Sequence, residues 1–153
     1  MDSKALARSN LDRRLTALRT SDVLARPPRG WVRAIRDALG MTTRQMAERL
    51  GVSQPRIVAL EKDELRDSIT LGRLRKAAEA LDCTLGYVLI PNRPLQETLE
   101  AKAGQVADRQ LARTHHTMGL ENQALGKEAL AAERERLIDA LLRSDPKRLW
   151  DTP

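Results

Sequence analysis

Aromatic side chains are nearly missing from this chain. There is no Phe, and Trp31, Tyr87 and Trp150 are the whole set. Proteins that grip single-stranded nucleic acid stack bases on several aromatic rings, so any nucleic-acid partner here is expected to be duplex. Cysteine is as scarce. The single Cys83 excludes an internal disulfide and fits a reducing compartment. No positioned base is suggested beside it, so it reads as a small core residue next to Leu81 rather than a nucleophile. No apolar run approaches the ~18 residues of a membrane span, and the N-terminus has no apolar signal-peptide core. No membrane association and a cytoplasmic location are therefore expected. The two histidines, His115 and His116, are adjacent. On a helix they point about 100° apart, and no cysteine or carboxylate lies at ligand spacing, so no metal and no cofactor are expected. No phosphate-cradling P-loop, no HExxH and no GxSxG occurs. Nothing in the sequence proposes an enzyme.

Positive charge is what the chain has in excess. The 153 residues carry a formal +6, with a sequence pI near 10.1. Residues 1–36 hold nine basic groups (Lys4, Arg8, Arg13, Arg14, Arg19, Arg26, Arg29, Arg33, Arg36) against three acids. Residues 37–153 are balanced, with 18 basic and 18 acidic groups. The whole excess thus lies ahead of residue 37, where it can meet phosphates.

The segment that follows, TRQMAERLGVSQPRIVALE from Thr43 to Glu61, has the spacing of two short helices joined by a tight turn. Met46 and Leu50 share one face of the first helix. Ala47 leaves room where the helices cross. Gly51 suits the left-handed stop. Ser53 is placed to cap the second helix, with Pro55 in its first turn. Ile57 and Leu60 point back to the core. Gln54 and Arg56 are left at the exposed front, and these side-chain types read adenine and guanine edges. The pattern predicts a helix-turn-helix whose second helix enters the major groove.

Elsewhere the periodicity predicts a basic helix over 3–19, capped by Ser3 and striped by Leu11, Leu15 and Leu18. An extended arm with Pro27-Pro28 follows over 20–30. A helix over 31–39 has Trp31, Val32, Ile35, Ala38 and Leu39 on one face and Gly40 as its stop. Residues 61–67 read as an acidic loop, and Thr70 caps a helix to Leu81 with Leu71, Leu74 and Ala78 inward. Thr84 to Ile90 is either a short helix or a strand that pairs with its copy across a dimer axis; the strand is slightly favoured. A long helix over 95–114 has Leu95, Leu99, Ala103, Val106 and Gln110 inward. It is interrupted at 119–125. A last helix over 128–142 carries Leu130, Leu137 and Leu141, and Asp145-Pro146 stops it. The run 133–136 reads as a solvated face. The fold class expected is all-α, or mostly α with one dimer-pairing strand at 84–90. The domains expected are 1–29 (basic helix and arm), 30–91 (DNA-binding) and 92–153 (dimerisation or partner region).

Residues 43–81 resemble the Xre-type DNA-binding domain of phage repressors and bacterial antitoxins, LGVSQPRIVALEK being close to that pattern. Over nearly the whole length, LDRRL, LARPPRGWVRAIRDALG, LDCTLGYVLIP, HTMGLENQAL and the closing RLWD resemble the bacterial family called mobile mystery protein A. That resemblance implies a DNA-binding regulator encoded beside a Fic-domain protein, an antitoxin or autorepressor of a toxin–antitoxin-like pair. It makes a Fic-domain partner and a bacterial, nucleoid-associated location expectations. Carried over position by position, Gln54, Pro55, Arg56 and Ala59 face the bases, with Pro55 a departure where the family has a polar reader. Thr43, Arg44, Ser53, Ser68, Thr70 and Arg73 hold phosphate, as do Arg26, Arg29 and Arg33 of the arm. A single recognition helix covers few bases, so a homodimer on an inverted repeat in its own promoter is expected. Its contacts, or those to a protein partner, are assigned to Tyr87, Leu89, Leu99, Val106, Leu137, Leu141 and Trp150. The alternative for the C-terminal helices is extra core.

Overall fold

The structure, a computed structural model, describes residues 3–119 and 126–151. It contains α1 (Ser3–Arg19), α2 (Trp31–Ala38), α3 (Thr43–Leu50), α4 (Gln54–Leu65), α5 (Leu71–Ala80), α6 (Leu95–Gly119) and α7 (Lys127–Arg143). Two 3₁₀ turns, Asp22–Leu24 and Pro146–Leu149, complete it. The all-α class expected from the sequence is the one observed. No strand occurs among the described residues, and 84–90 has no regular secondary structure in the single chain. The short helix considered there is absent. A strand would need a partner backbone that the chain itself does not supply.

The chain divides into two compact units, Ser21–Leu89 and the pair of ranges Met1–Thr20 with Ile90–Pro153. The arm therefore groups with the helix-turn-helix segment, and the basic helix α1 with the C-terminal helices, not with the arm. The reason lies in the contacts each segment makes. Arg26 ties the arm to the end of α4: it donates to the Glu64 and Leu65 carbonyls and pairs with Asp67 at 2.6 Å. A guanidinium there satisfies last-turn carbonyls and suits the negative end of the helix dipole. Asp12 on α1 accepts the N–H groups of Leu95 and Gln96, at 2.7 and 3.2 Å, and so caps α6 from a distant part of the chain.

In the Ser21–Leu89 unit the core is Val32, Met46, Ala47, Ile57, Leu60, Ala77 and Leu81, with Ile35, Leu50, Val52, Leu74 and Cys83 packed on it. The apolar spacing of the motif is thus read correctly, and Cys83 lies against the core. Each of α2 to α5 ends in the same hydrogen-bonded stop. The residue after the last turn has positive φ (Gly40, Gly51, Asp67, Asp82), and two N–H groups fold back onto the last-turn carbonyls. At Gly51 these are Gly51 N–H to Glu48 and Val52 N–H to Ala47. This arrangement fixes the turn between α3 and α4.

Several expectations are corrected. Residues 61–65 are not a loop: α4 runs to Leu65, with Glu61 and Glu64 buried. Their carboxylates are matched by partners far away in sequence. Glu61 takes the Arg36 guanidinium at 2.6 Å, and Glu64 accepts the Trp31 and Val32 N–H groups at 2.7 and 3.1 Å. Arg36 is therefore a buried structural cation and not part of the phosphate arm. Its hydrogen bond to Glu61 raises its pKa further, so its charge is permanent. Trp31, Ala38 and Leu39 are exposed; Val32 and Arg36 form the buried face of α2. Ser3 is the first described residue of α1.

In the second unit Leu99, Ala103 and Leu149 are the buried centre, with Val106, Ile138, Leu141 and Leu142 against them. The buried row continues from Ala103 to Ala107, one turn on, and Gln110, expected inward, is exposed. The 3₁₀ turn after Asp145, whose carboxylate accepts the Lys147 N–H, inserts Leu149 into this centre. The interruption at 119–125 lies outside the described residues beyond Gly119.

Candidate nucleic-acid interface

Thr42 opens α3 with a reciprocal cap: its hydroxyl accepts the Gln45 N–H, and the Gln45 side chain accepts the Thr42 N–H. This sets Thr43 and Arg44 at the front of α3. Gly51 then turns the chain so that α4 starts three residues later. Ser53 has the extended backbone of a cap, but its side chain makes no cap bond. The sequence-based assignment of Ser53 as a hydroxyl cap is corrected. Pro55 explains part of the difference, since it supplies a first-turn residue with no N–H to satisfy. Ser53 remains exposed beside the positive end of α4, where a phosphate is electrostatically favoured.

Gln54, Pro55, Arg56 and Ala59 are all exposed on α4. Gln54 Nε2 donates to Thr43 Oγ1 at 2.8 Å. That bond orients the amide and leaves its oxygen and second proton outward. Arg56 makes no ion pair among the described residues. It borders a cleft of about 500 Å³ with Arg73 and Lys76, over Leu50, Val52 and Leu60. The leading end of α4 thus offers an oriented amide on one side and an unpaired guanidinium on the other.

The residues assigned to phosphate differ in how free they are. Arg44 pairs with Glu48 at 3.3 Å on an exposed surface, a bond that water already weakens. Arg73 pairs with Asp63 at 2.8 Å. Thr70 is occupied as the cap of α5, accepting the Arg73 N–H, and Ser68 donates to the Asp63 carbonyl. Arg29 and Arg33 both reach Asp37, at 3.6 and 3.7 Å. Arg26 is committed to the end of α4, as described above, and so is removed from the phosphate set.

Among the residues assigned to a dimer or partner, Leu99 is buried in its own unit. Val106 and Leu141 pack against it. Leu137 is half-buried. For Leu99 the alternative of extra core is the better account, because α1, α6 and α7 need an apolar centre of their own. Tyr87 and Leu89 are 70% and 86% exposed. Trp150 is exposed and stacks under the Lys102 ammonium, 5.8 Å from the ring centre. His116 is exposed on α6, and the His115 side chain lies outside the described residues. No group of three potential metal ligands converges among the described residues.

Sequence reading missed Val58 and Lys62, both exposed on the outer face of α4. The signal was available, since both follow Gln54 and Pro55 at helical spacing.

A family model described as Helix-turn-helix matches residues 32–88. No curated protein and no solved structure matches the chain. Residues 32–88 are thus similar to a helix-turn-helix domain, within an all-α fold. No helix among the described residues is long and apolar enough to cross a membrane.

Proposed function

We propose that this protein is a sequence-specific binder of duplex DNA that represses transcription, its own promoter included, as a homodimer on an inverted repeat. The observation that carries this is the joint exposure of Gln54, Pro55, Arg56 and Ala59 at the leading end of α4, with Arg56 unpaired. The α4 helix lies in the major groove. Gln54 reads adenine and Arg56 reads guanine, each good pair contributing ~1–3 kcal/mol of discrimination. Thr43, Arg44, Ser53 and Arg73 hold phosphates on either side, with Arg29 and Arg33 adding charge. Ser68 and Thr70 contribute through the start of α5.

Two copies are needed because one such helix reads too few bases. Residues 84–90 support a self-pairing contact. They carry no charge, so two copies do not repel. No backbone–backbone hydrogen bond is made from Thr84 to Arg93. Tyr87 and Leu89 are left in water, and backbone N–H and C=O groups without a partner are a template for another strand.

Arg56→Ala is expected to cost roughly 5- to 150-fold on the operator and little on random duplex. Equal losses on both would remove the base-reading role.

A second reading is that the chain also inhibits the Fic-domain protein of the neighbouring gene, as an antitoxin. What favours it is a separate C-terminal unit that major-groove reading does not require. That unit bears an open apolar groove of about 470 Å³ lined by Leu111, Ala112, Leu130 and Ala131. Co-expression with the neighbouring product tests it: no complex and no relief of toxicity discard this role while leaving the repressor intact.

A further inference from the structure

Ile57, Leu60, Glu61 and Glu64 are the inward side of α4. At about 100° per residue, the line directly opposite them runs through Pro55 and Ala59, with Lys62 alongside. Gln54 and Arg56 stand roughly 90–110° to either side of that line. Val58 fills the sector between the line and Gln54 and is 40% exposed. On the outward side of the first two turns, ahead of Lys62, stand three apolar side chains, Pro55, Val58 and Ala59, all exposed. None of them carries a hydrogen-bonding group. A helix that met only phosphates would gain nothing from such a strip, whereas polar side chains there would be solvated at no cost.

We propose that Pro55, Val58 and Ala59 form an apolar strip that recognises thymine through its 5-methyl group. This rests on α4 being the major-groove helix, as argued under Proposed function. Thymine alone among the four bases presents an apolar group in that groove. The three side chains are short, so the helix axis can approach the groove floor until they touch a methyl. Gln54 and Arg56, on the flanks, then reach bases to either side. The half-site read by this chain therefore has A·T pairs at its centre, chosen by methyl contact, and hydrogen-bonded positions outside them.

The test uses the full chain and two random duplex libraries, one with thymine and one with deoxyuridine in its place. Deoxyuridine pairs identically and lacks only the methyl. The thymine library is expected to enrich T at the centre of the half-site, and the uracil library to lose that preference. The duplex selected with thymine should bind about 4-fold more weakly for each contacted thymine replaced by deoxyuridine, the factor for one buried methyl. Val58→Ala, at an exposed position that leaves the thermal melt unchanged, should weaken binding to the thymine duplex and scarcely affect the uracil duplex. Deoxyuridine without effect at every position overturns the strip. So does a Val58→Ala loss of equal size on both duplexes. If neither library enriches any sequence, the major-groove reading falls too, and the strip with it.

Discussion

Glu64 is the side chain on which the entry to the helix-turn-helix unit turns. Its two oxygens hold the first N–H groups of α2, which no local side chain caps. Gly30, with φ +84, lies so close that a Cβ there would sit 2.8 Å from a Glu64 oxygen. Glu64→Ala is expected to cost ~1–3 kcal/mol by leaving buried donors unpaired, measured by urea unfolding. Gly30→Ala should also destabilise, through both its φ and the clash. Asp82 has the opposite prospect. It holds φ +56 at a helix stop without a Gly, so Asp82→Gly should stabilise by roughly 1 kcal/mol. Arg36→Ala should cost ~3–5 kcal/mol, since it strands Glu61 in the core. At this scale the sequence is partly legible. Gln54 and Arg56 can be found because exposure on α4 follows from local spacing to Ile57 and Leu60. Glu61 and Glu64 read as loop because their burial depends on Arg36 and on the start of α2, about 25 and 32 residues away.

Helices α2 to α5 are visible in the sequence as elements because each carries its own stop and α3 and α5 carry their own caps. The end that sequence misjudges there is the C-terminus of α4, which Arg26 satisfies from a distant part of the chain; the start of α6, capped by the equally distant Asp12, is read at Leu95 from its local spacing. The C-terminal unit makes a separate prediction about pH. The hydrogen bond from Arg134 holds the Asp108 carboxyl below its usual range, and the bond from Lys4 does the same for Asp145. For a carboxylate depressed by folding, the stabilisation is complete above the unfolded-state value near 4 and fades as pH falls through the folded one. Thermal melts should therefore show this unit weakening below about pH 4. Asp145→Asn should remove part of that dependence; an unchanged acid limb contradicts the link between α1 and the turn after α7. Both pairs are exposed, so the effect is small.

At the scale of the whole molecule, the +6 concentrated before residue 37 divides between two units. The Ser21–Leu89 unit holds twelve basic and nine acidic residues. Of the arm and α2 residues expected to touch phosphate, Arg26, Arg29 and Arg33, only the last two are free of the helix end. Arg29→Gln with Arg33→Gln should lower the slope of log affinity against log salt by about 0.9 for each phosphate no longer neutralised. These substitutions leave α1 in place in the C-terminal unit, which a deletion of residues 1–28 would disrupt. The division into units is not legible in sequence, since α1 and α6 are joined by hydrogen bonds spanning more than 80 residues. The central claim is that the front of α4 reads bases in the major groove. Methylation interference on the selected operator tests it most directly. The account predicts that N7-methylguanine, in the major groove, blocks binding at symmetric positions one turn (~34 Å) apart, and that Arg56→Ala abolishes this sensitivity. Interference from N3-methyladenine alone, in the minor groove, or from no base at all, contradicts it.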